Sequence, residues 1–529
     1  MERSLQDCNL LVVSDLHLSD GRNPRLGTFS PREDFFFDDQ FARFLAYYRG
    51  RRDGQPDLPP WHLVIDGDFV DLLQVTTRRG AAPDMNRDRD RPYYGLASGA
   101  RESAYKIGQV ARGHEPFMRA LAGWVVAGNA ITVIKGNHDV ELHYPAVRDA
   151  LLAELRRAWV SGGGSPSALA PVDAGAIRFS DWFYYEKDLL WIEHGNQYEA
   201  SNAFRYWLAP LLPEIPDCPP ERKDEIDLPL GSFFVRYLFN RVENVEPFAD
   251  NMKPAMRFVR WLLRAHPVVA LRFLARDGSY MLGKLRRALR RLGGSAYAAR
   301  ERAHGERLTE LSLESGIPRE KLAEIDRLRA KTVLQEPAWW ARALRPLLVP
   351  WISLGVLVLL LAIGTAAVLL AAARLLGGAL PPEIAGTVPR GLADWVRTWG
   401  SWAVLLVAGV AAVLLVRWAL AGEEKAKLRK LAVRASRIAR LLPVRYVVMG
   451  HTHDPKLRKL GKAGGRALEY FNTGSWTGHF RDERDRLLGG DVRFVFLEAE
   501  RRQDGLRPLL MEWDDGAGEP RLLELFHLG

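Results

Sequence analysis

Short apolar runs that end in polar residues recur along the first 200 positions: LLVVSD, HLVIDGD, ITVIKGN and LLWIEHG. Each has the length and residue types of a buried strand, and helical stretches separate them. RYVVMGHTH and RALEYFNTGSW repeat the pattern near the C-terminus. Between the two groups, residues 202–340 read as mostly helical and hold no comparable strand. The SGGGSPS stretch at 161–167 reads as a loop. The pattern predicts an α/β fold whose strand-bearing core is split by a long helical insertion.

Two longer apolar runs break this rhythm. Residues 347–373 carry no charge over 27 positions; as a helix they would extend about 40 Å, enough to span a bilayer with tilt. Residues 398–416 carry none over 19 positions, about 28 Å of helix. Trp351, Trp395, Trp399, Trp402 and Trp418 lie near the run ends, where interfacial aromatics are expected. Lys and Arg are richer on the outer flanks than in the loop at 374–397. These features predict a transmembrane helical hairpin with both flanks on the cytoplasmic side, and hence an integral membrane protein.

Composition narrows the class. Hydrophobic residues make up 47% and charged residues 26%, which argues for a folded chain over a disordered one. Only two cysteines occur, Cys8 and Cys218, so neither a disulfide framework nor a thiolate metal site is expected. The stretch MERSLQDCNLLVVSDLHLSD does not read as a signal peptide. A reducing cytoplasm suits these observations.

The net charge of +10 is concentrated. Residues 253–345 hold 21 Lys or Arg against 9 Asp or Glu, and the rest of the chain is nearly balanced. Residues 253–293 mix Arg with Leu, Phe, Trp and Met at roughly helical spacing. Arg286, Arg287, Arg290 and Arg291 are candidate membrane-surface residues. Helices that pack over the core, with a solvated basic face, explain the same pattern equally well. Nucleic acid is not expected, because no recognisable nucleic-acid module accompanies the charge.

The candidate chemistry sits where the strands end. Asp15-Leu16-His17 comes first, then Gly67-Asp68-Phe69-Val70-Asp71, Gly136-Asn137-His138-Asp139, Glu193-His194-Gly195-Asn196 and Gly450-His451-Thr452-His453. In a strand, i and i+2 share a face, so Asp15 with His17, and His451 with His453, would point the same way. One Asp-x-His or His-x-His pair is weak evidence. Five clusters in order, each after an apolar strand, are much stronger. Carboxylate, imidazole and amide oxygen, without sulfur, suit Mn, Fe or Zn.

This ordered series resembles the signature of the calcineurin-like metallophosphoesterases: D-x-H, G-D-x-x-D, G-N-H-D/E, a later H, and G-H-x-H. The resemblance covers residues 9–200 and 444–480 and leaves the middle uncovered. It implies a layered β-sandwich flanked by helices and two divalent ions, with Mn first and Fe or Zn as alternatives. It implies that Asp68 bridges them, that Asp15, His17 and His453 complete one site, and that Asn137, His194 and His451 complete the other. His138 would face the substrate, with Asp139 orienting it. Asp71 reads as a supporting residue, Asn472 and Ser475 as turn residues, Asp66 as structural and His143 as satisfied or exposed.

Within the superfamily, DLHLSD, GDFVDL, the HG of EHGNQYE and GHTHDP look like the UDP-2,3-diacylglucosamine pyrophosphatase-like enzymes. Those tend to carry Arg where this chain has His138. The expected organisation is a metallophosphoesterase core at 1–201 and 422–529, split by a basic helical insertion at 202–345 and the hairpin at 346–421. The expected activity is hydrolysis of a phosphate ester or pyrophosphate, with a lipid-linked substrate of the UDP-diacylglucosamine type first. A phosphatase or phosphodiesterase for a soluble nucleotide or phosphoprotein is the alternative, and a non-catalytic membrane scaffold ranks last.

Overall fold

The computed structural model describes residues 7–23, 25–53, 58–85, 94–213, 225–240, 297–332, 423–463, 465–477, 492–503 and 505–524, with two isolated positions, 268 and 283. The chain divides into two compact units. The first comprises Met1–Lys253, Arg257–Gln335 and Lys427–Gly529; the second comprises Pro254–Met256 and Glu336–Ala426. The sheets and the candidate site below all belong to the first unit.

Two sheets form its centre. The first runs in the order β12-β11-β10-β1-β2-β3-β4. Its parallel half is β1 (Asn9–Val13), β2 (Trp61–Asp66), β3 (Ala130–Ile134) and β4 (Ile177–Ser180). Its antiparallel half is β10 (Phe494–Arg502), β11 (Gly505–Asp514) and β12 (Glu519–Leu522), joined to β1 through the pairing of Val12 with Leu497. The second sheet runs β5-β6-β7-β9-β8. It comprises β5 (Phe183–Glu186), β6 (Leu190–Glu193), β7 (Tyr446–Met449), β8 (Lys456–Ala463) and β9 (Arg466–Asn472). β7 lies parallel to both of its neighbours.

Alternation along the strands sorts the core into layers. Leu10 and Val12 of β1, with Val64 and Ile134, share one apolar cluster with Leu190, Ile192, Val448 and Phe471 of the second sheet. Leu11 and Val13 belong to the other cluster, with the helical residues Phe41, Phe44, Ile107, Trp124 and Leu151. Those helices are α1 (Asp38–Asp53), α2 (Ala100–Gly113), α3 (Glu115–Val126) and α4 (Pro145–Ser161). A short α5 (Ala170–Asp173) precedes β4. The described parts of the insertion are α6 (Leu230–Phe234), a π-helical turn at Val235–Phe239, α7 (Ala298–Ser315) and α8 (Arg319–Asp326). α9 (Glu423–Leu441) leads into β7 and contributes Leu431, Ala435 and Ile438 to the core.

The expectation of a transmembrane hairpin is corrected. Among the described residues no helix is long and apolar enough to cross a membrane. The longest, α9 and α7, have 19 and 18 residues but are studded with Glu, Lys and Arg, whereas a span needs about 20 predominantly apolar residues. The runs at 347–373 and 398–416 lie outside the described residues, as do Arg286, Arg287, Arg290 and Arg291. The fold is therefore mixed α/β with two sheets and, among the described residues, nine α-helices. No described helix supports the integral-membrane placement drawn from the hairpin.

One buried cation organises the loop after the first ligand segment. His114, at the α2–α3 junction, is fully buried, with Nε2 3.2 Å from Glu33 Oε2 and Nδ1 2.9 Å from Asp38 Oδ1. Glu33 in turn accepts from the backbone N–H of Ser19, Gly21 and Phe35. Burial alone would lower the His114 pKa, but Glu33 and Asp38 outweigh it and raise it to about 10. A pKa raised on folding stabilises most below the unfolded value near 6.5, and that contribution is lost as pH rises through about 10. Urea unfolding between these pH values should show stability falling by at most about 1.4 kcal/mol per pH unit from this group. His114→Gln should be less stable at pH 6.5 and flatter across the range. An equal pH slope in variant and wild type would refute the assignment.

Candidate metal centre

The ligand segments begin just past the strands. β1 stops at Val13 and β7 at Met449, so Asp15, His17, His451 and His453 lie in loops. Strand alternation does not bring them together. Left-handed backbone does: φ is 54° at Asp15, 53° at His17, 49° at Asp68, 68° at His451 and 58° at His453. Such conformations cost about 1–3 kcal/mol each in a non-glycine residue and persist only where surrounding contacts impose them. Those contacts are visible. Asp15 N donates to Gly67 O at 3.2 Å, and Leu16 N and His17 N both donate to Asp68 O, at 3.0 and 2.9 Å. His451 N donates to Asp15 Oδ2 at 2.9 Å, fastening the C-terminal segment to the N-terminal one.

Two motif glycines leave room for carboxylates. A Cβ on Gly136 would lie 2.1 Å from Asp68 Oδ1, and one on Gly450 would lie 2.6 Å from Asp15 Oδ2. Their hydrogens are the only side chains that let these segments close up.

Three groups of donors result: Asp15 with His17 and His453, Asp68 with His194 and His451, and His17 with Asp71 and His138, the first and third sharing His17. Within each, the donor atoms lie within 4.8 Å of one another, and each group could hold a metal ion. His453 Nε2 is 3.2 Å from both Asp15 Oδ1 and His17 Nε2. His194 Nε2 is 3.0 Å from Asp68 Oδ2, and His17 Nε2 is 3.8 Å from the same oxygen. Asp68 thus adjoins both of the first two groups. Asn137 is buried beside them, and its main-chain neighbour His138 donates its N–H to Asp68 Oδ1 at 2.8 Å.

The donor chemistry fits a divalent cation. Asn137 Oδ1 is buried and makes no hydrogen bond among the described residues, while Asp15 Oδ1 and His194 Nε2 are in ion-pair contact with His453 and Asp68 at 3.2 and 3.0 Å. Buried polar atoms are normally paired, so an unpartnered amide oxygen next to these acid–imidazole pairs suits a cation. Burial pushes the Asp68 carboxyl up, yet His194, His138 and His17 outweigh it and hold it well below the usual range. Burial likewise opposes ionisation of Asp15, and His453 and His194 overcome it. His194 is held well above the ordinary imidazole value, against burial, by Asp68 and Asp15. A positive charge is stabilised here in either form, proton or metal.

The residue that orients His138 is Asp71. Asp71 Oδ2 is 2.5 Å from His138 Nδ1 and 3.8 Å from His17 Nδ1. Asp139 does not orient His138. Its oxygens accept the backbone N–H of Gly136 at 2.5 Å and of Phe69 at 2.8 Å, so it clamps the loop instead. Burial, then the charge of Asp68, raises its pKa to about 7. The i+3 spacing within G-D-x-x-D was the available signal for Asp71. Asn472 shapes the G-H-x-H turn through bonds from Nδ2 to Gly450 O and Thr452 Oγ1. Ser475 is buried with Thr477 beside it. Asp66 and His143 stand outside all three donor groups. Glu199, 3.0 Å from His451 Nε2, went unread because nothing in its spacing marks it.

No family model matches the chain, and no curated protein matches it. The reading of this centre therefore stands on its geometry and donor chemistry.

Removing Asp68 should disturb both neighbouring groups at once. Asp68→Ala should lose most of the metal retained by the wild-type protein, measured by plasma mass spectrometry after desalting. Gly136→Ala should lose part of it, because the new methyl group displaces the Asp68 carboxylate. Full metal content in both variants would sink the assignment.

Proposed function

We propose that this chain is a metal-dependent phosphohydrolase, similar to the calcineurin-like metallophosphoesterases, that cleaves a phosphate ester or pyrophosphate. The observation that carries the reading is the meeting of His17 and His453, 436 residues apart in sequence, around Asp15 and Asp68. The donor sets suggest two ions, with Asp15, His17 and His453 around one, Asn137, His194 and His451 around the other, and Asp68 between them. Mn is the first candidate, since oxygen and imidazole donors without sulfur suit it; Fe and Zn have the same preference.

Divalent ions so held would supply Lewis-acid polarisation of the phosphoryl group and of an attacking water. The chain's own residues supply the proton handling. His138 is 14% exposed at its side chain, against 0% for Asp71 behind it. With Nδ1 engaged by Asp71, Nε2 is the nitrogen suited to hand a proton to the leaving oxygen. Burial alone would raise Asp71, but His138 and His17 hold its carboxyl well below the usual range. It therefore stays ionised beside the imidazole and fixes the ring's orientation through Nδ1. Asp139 keeps the Gly136–Asp139 turn in place, which holds Asn137 and His138 at their positions.

A lipid-linked pyrophosphate of the UDP-diacylglucosamine type is the first substrate class, on the likeness of DLHLSD, GDFVDL and GHTHDP. One observation favours a second class, soluble nucleotides or phosphoproteins: His138 stands where those pyrophosphatase-like enzymes tend to carry Arg. Full-length protein reconstituted with Mn should be assayed on UDP-linked lipids, nucleotides, phosphopeptides and aryl phosphates. Hydrolysis of at least one class is expected. His138→Gln should keep its metal yet lose roughly 10²–10⁴ in turnover, with a smaller loss on aryl phosphates, whose leaving groups need no proton. Asp71→Asn should fall in the same direction. Inactivity of the metal-loaded wild type across the panel would defeat the proposal.

A further inference from the structure

The loop after His194 carries a carboxylate that the chemistry above leaves unused. Glu199 places Oε2 3.0 Å from His451 Nε2. Its other oxygen accepts the Ser201 hydroxyl at 2.9 Å, and its backbone carbonyl accepts from Asn202 N and Ala203 N at 3.0 and 2.8 Å. The side chain is 20% exposed and that of His451 5%. Glu199 is therefore fixed from both ends before it meets the ring. The Asn202 amide is the next neighbour of the same nitrogen, at a longer 3.4 Å.

A carboxylate accepts and does not donate, so this bond puts the ring proton of His451 on Nε2 and leaves the Nδ1 lone pair as the metal donor. We propose that Glu199 is a positioning residue that sets the tautomer and orientation of His451, and with them the affinity of the ion that His451 would share with Asn137 and His194. This rests on the metal reading given above. Carboxylates behind ligating histidines act in this way, and their loss typically costs 10–100-fold in metal affinity.

The helical insertion holds the Glu199 loop in place. Gly231 N donates to Ser201 O at 2.8 Å. A Cβ on Gly231 would lie 1.9 Å from Asn202 Oδ1, so α6 lies directly against the loop. From the same helix, Ser232 Oγ reaches Asn137 O at 3.5 Å. The insertion thus braces the segments behind two donors expected for one ion, Asn137 and His451.

The test is calorimetric titration of Mn(II) into chelator-stripped full-length protein. Glu199→Ala should weaken one class of Mn(II) sites by roughly 10–100-fold and leave the other unchanged. Glu199→Gln should retain most of the wild-type affinity, because its amide oxygen still accepts from Nε2. Thermal unfolding of the stripped variants is expected to match the wild type, which separates positioning from collapse. Unchanged affinity in Glu199→Ala would overturn the inference. Equal loss in the Ala and Gln variants would also overturn it, by making the carboxylate itself the ligand. A wild type that binds Mn(II) but hydrolyses no phosphoester defeats the phosphohydrolase reading alone.

Discussion

Asp68 is a carboxylate with almost no exposure, reached from three directions. His194 approaches Oδ2 at 3.0 Å, His17 lies 3.8 Å from the same oxygen, and the His138 amide donates to Oδ1. Its backbone carbonyl takes the N–H groups of Leu16 and His17. One residue at the end of β2 therefore fixes the path of the loop after β1, the turn after β3 and the ring after β6. Burying an ionised carboxyl costs several kcal/mol unless it is paired and hydrogen-bonded. Those converging partners are what make this placement of a charge stable.

The same crowding explains the backbone around it. Five expected metal donors adopt left-handed conformations that side chains rarely take. Neither propensity nor apolar patterning favours them; they are imposed by β1, β2 and β7, whose ends must deliver donors to one point. The sheets carry that strain because their own interiors are regular. β1 pairs with β2 in unbroken parallel register from Asn9 to Val13, and the mismatch is confined to the residues beyond.

Much of this was legible in the chain. Apolar runs such as LLVVSD and RYVVMG announced the strands, because burial on both faces leaves a continuous hydrophobic record. The expected ligands lay at the ends of those runs; six of them, Asp15, His17, Asp68, His194, His451 and His453, fall in the donor groups, and Asn137 is buried next in the chain to His138, whose N–H meets Asp68. The carboxylate behind His138 was not legible, since Asp71 and Asp139 are equally plausible by spacing and only the hydrogen bonds separate them. Face-sharing of Asp15 and His17 was expected for the wrong reason, as strand geometry ends before either residue. Glu199 had no signal, because loop closure by α6 brings it to His451. The membrane placement rested on two apolar runs, the tryptophans near their ends and the basic outer flanks, and none of the described helices supports it.

The pairing of β1 with β10 and of β6 with β7 has a consequence for how the molecule is made. Both sheets seat C-terminal strands between or beside N-terminal ones, so a nascent chain that has released only residues 1–200 has two open sheet edges. It also has four of the five ligand segments and lacks His451 and His453. Closing so long a loop is slow relative to local contacts. A ribosome-bound fragment of this kind therefore lacks a finished centre, and the donor sets are completed only after His453 has been synthesised and β7 has paired with β6.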